Sequence, residues 1–220
     1  PDGYARSHFN NAILSYLQLT KPVMHIEHKA GDKIYIDFAG TKLKIINSDG
    51  NEQDAEVFVA ILGCSQLTYV EAVASQRKED LIKACEHALI YFGGVPQAIV
   101  PDNLRSAVTR GSKYEAVLND EFSAFAEHYN VAVVPARAYK PRDKSLVEGA
   151  VKLIYRSIYS KLEGRVFCDI ESLNAAISPA LEIHNNKPFS GRSYSRREQF
   201  EEIEREALGA LNPLRYEVHK

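Results

Sequence analysis

The sequence predicts an α/β fold: a mixed five-stranded sheet flanked by helices, with a helical C-terminal extension. Two observations predict it. Three strand-like segments follow one another from Lys33, and the pattern then alternates helix, strand, helix, strand, helix. The strand-like runs are also bracketed by Gly, Pro and Asn clusters, which are turn signals. With 220 residues, 45% hydrophobic, 25% charged and a net charge of −2, the chain can bury roughly 70% of its unfolded surface. That composition excludes a disordered chain. The longest apolar run, Ala55 to Gly63, is broken by Glu56 and is too short to span a bilayer. Cys64, Cys85 and Cys168 are odd in number, widely spaced and form no C-x-x-C, so a reducing compartment is expected, without a disulfide scaffold or a zinc ribbon. Because the first residue is Pro and not Met, the chain is expected to be a piece of a longer one.

Taken in order, residues 5–20 carry Phe9, Ile13, Leu14 and Leu17 at helical spacing, and Lys21-Pro22 ends that helix. Residues 21–32 read as a connecting arm. From Lys33 the period becomes two: Ile34, Ile36 and Phe38 share one face, Tyr35 and Asp37 the other. Ala39-Gly40 is expected to turn the chain into a second strand at Leu43–Ile46. Asn47-Ser48-Asp49-Gly50-Asn51 is a stronger turn signal. Glu56–Leu62 is a third strand, apolar from Val57 and so central, and Thr68–Ala74 extends the sheet.

Residues 78–92 predict a helix, because Leu81, Ala84, Cys85, Ala88, Leu89 and Phe92 recur at three and four; Gly93-Gly94 stops it. Gln97–Val100 is a short strand ended by Pro101-Asp102-Asn103. A helix over about 119–129 and a buried strand at Val131–Val134 follow. Residues 137–143 read as a basic loop, then helices run over about 144–162 and 170–185. This order is what a ribonuclease H-like fold would give. It divides the chain into residues 1–30 (helix and arm), 31–165 (core) and 166–220 (extension).

Three acidic residues stand out. Asp37 lies inside a strand, where Asp is disfavoured; it either serves a site or faces solvent. Asp102 follows a strand's carboxyl end, where open α/β sheets place ligands; a plain turn would also use it. Glu148 shares a stripe with Lys152, Tyr155 and Tyr159, beside the core stripe Val147, Ala150, Val151, Ile154, Ile158 and Leu162. An ordinary Glu–Lys i,i+4 pair would look the same. The three converge only if the two strands are neighbours and the helix packs across them. Converging carboxylates repel and require a cation; hard oxygen donors suit Mg²⁺ or Mn²⁺ and hence phosphodiester chemistry.

Residues 135–165 carry a local charge of +5 against −7 elsewhere, from Arg137, Lys140, Arg142, Lys144, Lys152, Arg156, Lys161 and Arg165 less three acids. That is a candidate anion-binding edge, or simply a solvated helix face. His25-x-x-His28 is a weak metal signal, and no P-loop, G-x-G-x-x-G or G-x-S-x-G occurs.

Four segments, His28 to Gly40, Val95 to Val108, Pro141 to Val151, and the tail from Asn186 to Glu217, resemble the catalytic core of IstA-type transposases. These belong to the insertion-sequence twenty-one family, within the retroviral-integrase-like DDE superfamily. The resemblance implies a DNA transposase that frees a 3′-hydroxyl at a transposon end and joins it to target DNA. It makes Asp37, Asp102 and Glu148 the catalytic, metal-binding triad for two Mg²⁺ or Mn²⁺ ions. Lys152, Arg137, Lys140, Arg142, Lys144 and Arg156 are then expected on DNA phosphates, and Tyr155 or Tyr159 on an unpaired terminal base, in the core or exposed to solvent. The family also implies an AAA+ ATPase helper protein, a homo-oligomer on DNA, a cytoplasmic, nucleoid-associated location and flanking DNA-binding domains. Glu148 follows Asp102 by 46 positions, more than in retroviral integrases, so extra residues are expected between them. The alternatives are a ribonuclease H-like nuclease that only hydrolyses and a non-catalytic assembly module.

Overall fold

The sheet is built on one long central strand. The computed structural model describes residues 13, 28–101, 108–111, 116–134 and 141–218, with backbone alone at 108–111, 116–118 and 141–145. Strand β3 (Glu52–Leu62) pairs antiparallel with β1 (Lys33–Phe38), β2 (Leu43–Ile46) and β4 (Thr68–Val73). On its other side β1 pairs in parallel with β5 (Ala98–Pro101), which pairs in parallel with β8 (Ala132–Val133).

The sheet therefore has six strands, one more than expected. Both strands flanking Ala39-Gly40 are present, but the reversal expected between them is not. Because β1 and β2 both run antiparallel to β3, they run in the same direction and do not form a hairpin. They are successive pieces of one interrupted strand, and Ala39 N–H donates to Val57 O at 2.8 Å between them. The reversal occurs at Asn47–Asn51, as its residues predict: Asn47 Oδ1 accepts from the N–H of Asp49 and Asn51, and Gly50 takes φ 79°.

Helix α1 (Lys78–Phe92) ends at Gly93, φ 72°, where the N–H groups of Gly93 and Gly94 return to Ile90 and Leu89. A small hairpin of β6 (Val108–Gly111) and β7 (Ala116–Leu118) precedes α2 (Asp120–His128), whose N-terminus is capped by Asn119. The hairpin was not foreseen, and it lies within the long stretch between Asp102 and Glu148. Helix α3 (Pro141–Ile154) begins inside the expected 137–143 loop, with Pro141 at its first position, where a missing N–H costs nothing. The helical path continues as a π segment, Tyr155–Tyr159, and then α4 (Ser160–Leu162). Ser157 and Ser160 donate to the carbonyls of Leu153 and Arg156, side-chain bonds that compete with the helical ladder around this π turn. Helix α5 (Ile170–Asn186) opens with a capping box of Asp169 and Ser172.

Alternation along each strand sorts the core into two faces. Ile34, Ile36, Phe38, Phe58 and Leu62 pack with α1 and α2 through Leu81, Leu89, Phe92, Phe122 and Phe125. Val57, Val59, Val70 and Ala72 face α4 and α5 through Leu162, Leu173, Ile177 and Leu181. The result is three layers, helix, sheet and helix. The edge of β4 is covered by side chains. Asn185 Nδ2 donates to Thr68 O while its Oδ1 accepts Thr68 N–H, and Asn174 does the same for Ala72. Asn185 is 0% exposed. Asn185→Leu strands both Thr68 backbone groups in the interior and is expected to lower unfolding free energy by about 2 kcal/mol. A urea titration checks this as a lower midpoint at unchanged slope.

The C-terminal segment packs on the same core. Helix α6 (Arg196–Gln199) leads into Phe200, which is buried with the α1/α2 cluster. Glu204, 0% exposed, accepts from the N–H of Gly31 and Ser65. Gly31 sits at φ 68°, and a Cβ there would lie 2.3 Å from Ala207 O, so only glycine fits. The expected helix over 5–20 lies outside the described residues except at Ile13, which is helical. Among the described residues no helix is long and apolar enough to cross a membrane.

Candidate active site

Two strand ends and one helix define the site. Tyr35 pairs with Val100 and Ile36 with Pro101 in the parallel β1–β5 register. Asp37 is the next residue of β1, half-buried, and its Oδ1 accepts the N–H of Phe38 at 2.8 Å. The two-residue period that puts Tyr35 and Asp37 on one face is observed: Tyr35 clusters with Ile61 and Val100, and with Val147 and Ala150 of α3, apart from Ile34 and Ile36. Helix α3 thus lies over the face of the sheet on which Asp37 stands. Glu148 is exposed and follows buried Val147.

The condition set by the sequence, that the two strands be neighbours with the glutamate helix across them, is therefore met for the strands and the helix. Asp102 itself, with Arg137 and Lys140, lies outside the described residues. Arg142 and Lys144 are on α3 with backbone alone described. Lys152 and Arg156 are exposed on the same helical path. Among the described residues Glu148 makes no ion pair with Lys152, so the plain Glu–Lys reading of this stripe is not what the structure contains. Among them, too, no three His, Cys, Asp or Glu side chains form a metal-holding group.

The two tyrosines of the stripe have another role than base stacking. Tyr155 Oη accepts the Thr41 N–H at 2.9 Å, and Tyr159 Oη–H donates to Thr41 O at 2.6 Å. Their rings meet edge to face at 4.9 Å. Burial pushes the Tyr159 phenol well above its ordinary value, so it stays a donor at neutral pH. Thr41 is four residues past Asp37, and Tyr155 is seven past Glu148. The clamp therefore fixes the helix against the strand end that carries the first carboxylate. Only spacing on the stripe hinted at it; the partner backbone, over a hundred residues earlier, cannot be read from a local pattern. His28 Nδ1 lies 3.5 Å from Tyr35 Oη, and burial holds its pKa below the ordinary value; His25 is outside the described residues.

The fold is the ribonuclease H-like one of integrase catalytic cores. The simian T-cell lymphotropic virus intasome contains a chain that superposes with TM-score 0.63 at 14% identity, over 88% of this chain and 63% of that one. The HTLV-2 integrase catalytic core, determined in complex with magnesium, gives 0.54 at 17% identity, over 78% and 97%. The chain belongs to the Integrase core domain family, which matches residues 27–141. That span holds Asp37 and the position of Asp102 and ends before Glu148. Among full-length relatives, the protein named Putative transposase y4bL/y4kJ/y4tB of Sinorhizobium fredii is 41% identical over 99% of this chain and 42% of its own length. The transposase for insertion sequence element IS21 of Pseudomonas aeruginosa is 27% identical over 64% of this chain and 33% of its own. The chain thus spans less than half the length of the relatives it matches.

Proposed function

We propose that this chain is the catalytic domain of a DNA transposase, in which Asp37, Asp102 and Glu148 serve phosphodiester hydrolysis at transposon ends and 3′-hydroxyl strand transfer into target DNA. One observation carries the reading. The parallel β1–β5 register ends at the Ile36–Pro101 pair, Asp37 is the next residue of β1, Asp102 follows Pro101 in the sequence, and α3 covers the face on which Asp37 stands. Because Asp102 directly follows Pro101 in the sequence, the pairing supports two carboxylates at one rim. Glu148 completes the set from the helix.

These oxygen donors fit Mg²⁺ or Mn²⁺, two ions being expected in the active complex, and not a soft metal. When bound, the ions supply the Lewis acidity and charge neutralisation that in-line displacement at phosphorus requires. The chain's own residues hold the geometry. The Phe38 N–H fixes one oxygen of Asp37, Tyr155 and Tyr159 hold the helix to Thr41, and Lys152 with Arg156 offers charge to DNA backbone beside Glu148. Arg137, Lys140, Arg142 and Lys144 belong to the same backbone-positioning set. Assembly as a homo-oligomer on DNA, and action with an AAA+ ATPase helper, are part of this reading.

The test is strand transfer. The full-length protein, given transposon-end DNA and Mg²⁺ or Mn²⁺, is expected to nick the ends and join them to a target, and Glu148→Gln to do neither. Hydrolysis without any joining would make the protein a nuclease. Tyr155→Phe and Tyr159→Phe each remove one clamp bond on an exposed turn, so stability should fall by only about 0.5–1 kcal/mol. Joining kcat should nevertheless drop severalfold with KM for DNA unchanged, because the helix is then less firmly placed. An unchanged kcat in the double variant would end the positioning role.

A further inference from the structure

A groove of about 710 Å³ opens on the flank of α3 and α4 away from Glu148, against α5 and the loop before α6. Arg156, Lys161, His184, Lys187, Arg192 and Arg196 line it, and no carboxylate does. The chain carries a net charge of −2, so five cations gathered without an acid are a local reversal of sign. Among the described residues none of the five makes an ion pair, although Arg197, beside Arg196, is paired with Glu182 at 3.0 Å.

The floor of the groove adds a second, independent observation. His184 is 5% and Arg196 7% exposed, and among the described residues His184 Nε2 and Arg196 Nε are buried without a hydrogen-bond partner. Buried polar atoms are ordinarily satisfied. An unmet guanidinium N–H beneath a ring of cations favours an anion lying above it; Ser157 gives its hydroxyl proton to Leu153 O and so accepts from His184 Nδ1–H, which leaves Nε2 an acceptor that calls for a donor instead. Arg196 is held there by stacking, its Cζ 4.6 Å from the centroid of Phe189. A cavity of about 330 Å³ shares Leu153, His184 and Arg196 with the groove and extends it along α3 to Gly149.

We infer that this groove binds the sugar-phosphate backbone of DNA, a few nucleotides from the phosphate presented to the carboxylates. At 100° and 1.5 Å per residue, Glu148 and Leu153 lie on opposite flanks of α3, with Lys152 and Arg156 on the outer surface between them. Arg156 is about 12 Å along the axis from Glu148, which is three to four steps of a strand at about 3.4 Å each. A strand leaving the site therefore crosses Lys152 and Arg156 and enters the groove. Its contacts are charges on flexible stems, so it positions backbone and reads no bases. The placement relative to the scissile phosphate rests on the proposed function; the charge and burial of the groove do not.

The experiment uses the chain and a blunt DNA duplex of arbitrary sequence, with affinity followed by fluorescence anisotropy over a range of NaCl. Lys161→Glu with Lys187→Glu alters two exposed side chains and leaves buried Arg196 in place. It is expected to lower affinity at least about tenfold and to make the slope of log K against log[NaCl] shallower by roughly one to two. Lys29→Glu with Lys83→Glu, the same charge change on exposed residues away from the groove, is the control and should shift affinity less than about twofold. A groove variant with the wild-type slope, or a control that loses as much, would overturn the inference. Joining by the full-length protein separates the two readings. If wild type shows no joining while the groove variant still loses DNA, the transposase reading falls and the groove stands.

Discussion

Asp37→Asn is expected to abolish metal-dependent cleavage and joining by the full-length protein, by at least about 10³-fold, or ~4 kcal/mol of transition-state stabilisation. The substitution is nearly isosteric. Asparagine keeps an oxygen for the Phe38 N–H, and Asp37 is only half-buried, so the fold and thermal midpoint should be unchanged. What it removes is the negative charge at the rim of β1 and β5 that a divalent cation needs. Two measurements check this. Single-turnover joining should fall to background, and added Mg²⁺ or Mn²⁺ should raise the thermal midpoint of the variant less than that of wild type. Wild-type joining by Asp37→Asn would remove this carboxylate from the mechanism, and the triad with it.

His184 gives the second large effect, on stability. Burial first, then the charges of Arg196, Lys161 and Lys187, push its pKa from 6.5 down to about 4. Arg156 and Arg192 also line the cavity it faces, and no carboxylate does. In the unfolded chain the imidazole protonates near its ordinary value of about 6.5. Between roughly pH 6.5 and 4 the unfolded state therefore holds a proton that the native state refuses, and stability falls as pH falls. At about 1.4 kcal/mol per pH unit, the loss approaches ~3 kcal/mol by pH 4. His87 works in the opposite sense. Its hydrogen bond to Glu71, opposed by burial, raises its pKa, so its contribution is present at low pH and fades as pH rises through the folded value. The difference between wild type and His184→Gln isolates the first effect. In urea titrations at about pH 7 and about pH 4.5, wild type should lose ~2–3 kcal/mol more than the variant. Parallel losses would show that the imidazole protonates in the folded protein as it does in the unfolded one.

Local pattern reached most of the elements. Strand β1, helix α1 with its Gly93 stop, the Asn47–Asn51 turn and α5 lie within a few residues of where periodicity puts them, because each is set by its own side chains. The errors share a cause. Ala39-Gly40 reads as a reversal, yet β1 and β2 run the same way, since each is chosen by its pairing with β3 and not by the dipeptide between them. Residues 155–159 have ordinary helical spacing, and the π turn and the Thr41 clamp emerge only where helix and strand end meet. The basic groove shows the same limit: Arg156 and Lys161 stood in the charged stretch, but Lys187, Arg192 and Arg196 come from another part of the chain.

By itself the sequence determined which residues alternate and which repeat at three and four, and with them the faces of β1 that carry Asp37 on one side and Ile36 on the other. It also supplied the acidic residues and the resemblance that singles out three of them. Only the tertiary structure decided that β1 lies beside β5 and that α3 crosses over the same face. Side-chain periodicity is a property of a segment, whereas strand neighbours and helix placement follow from burying all the apolar faces together. That is a long-range balance which no local spacing encodes.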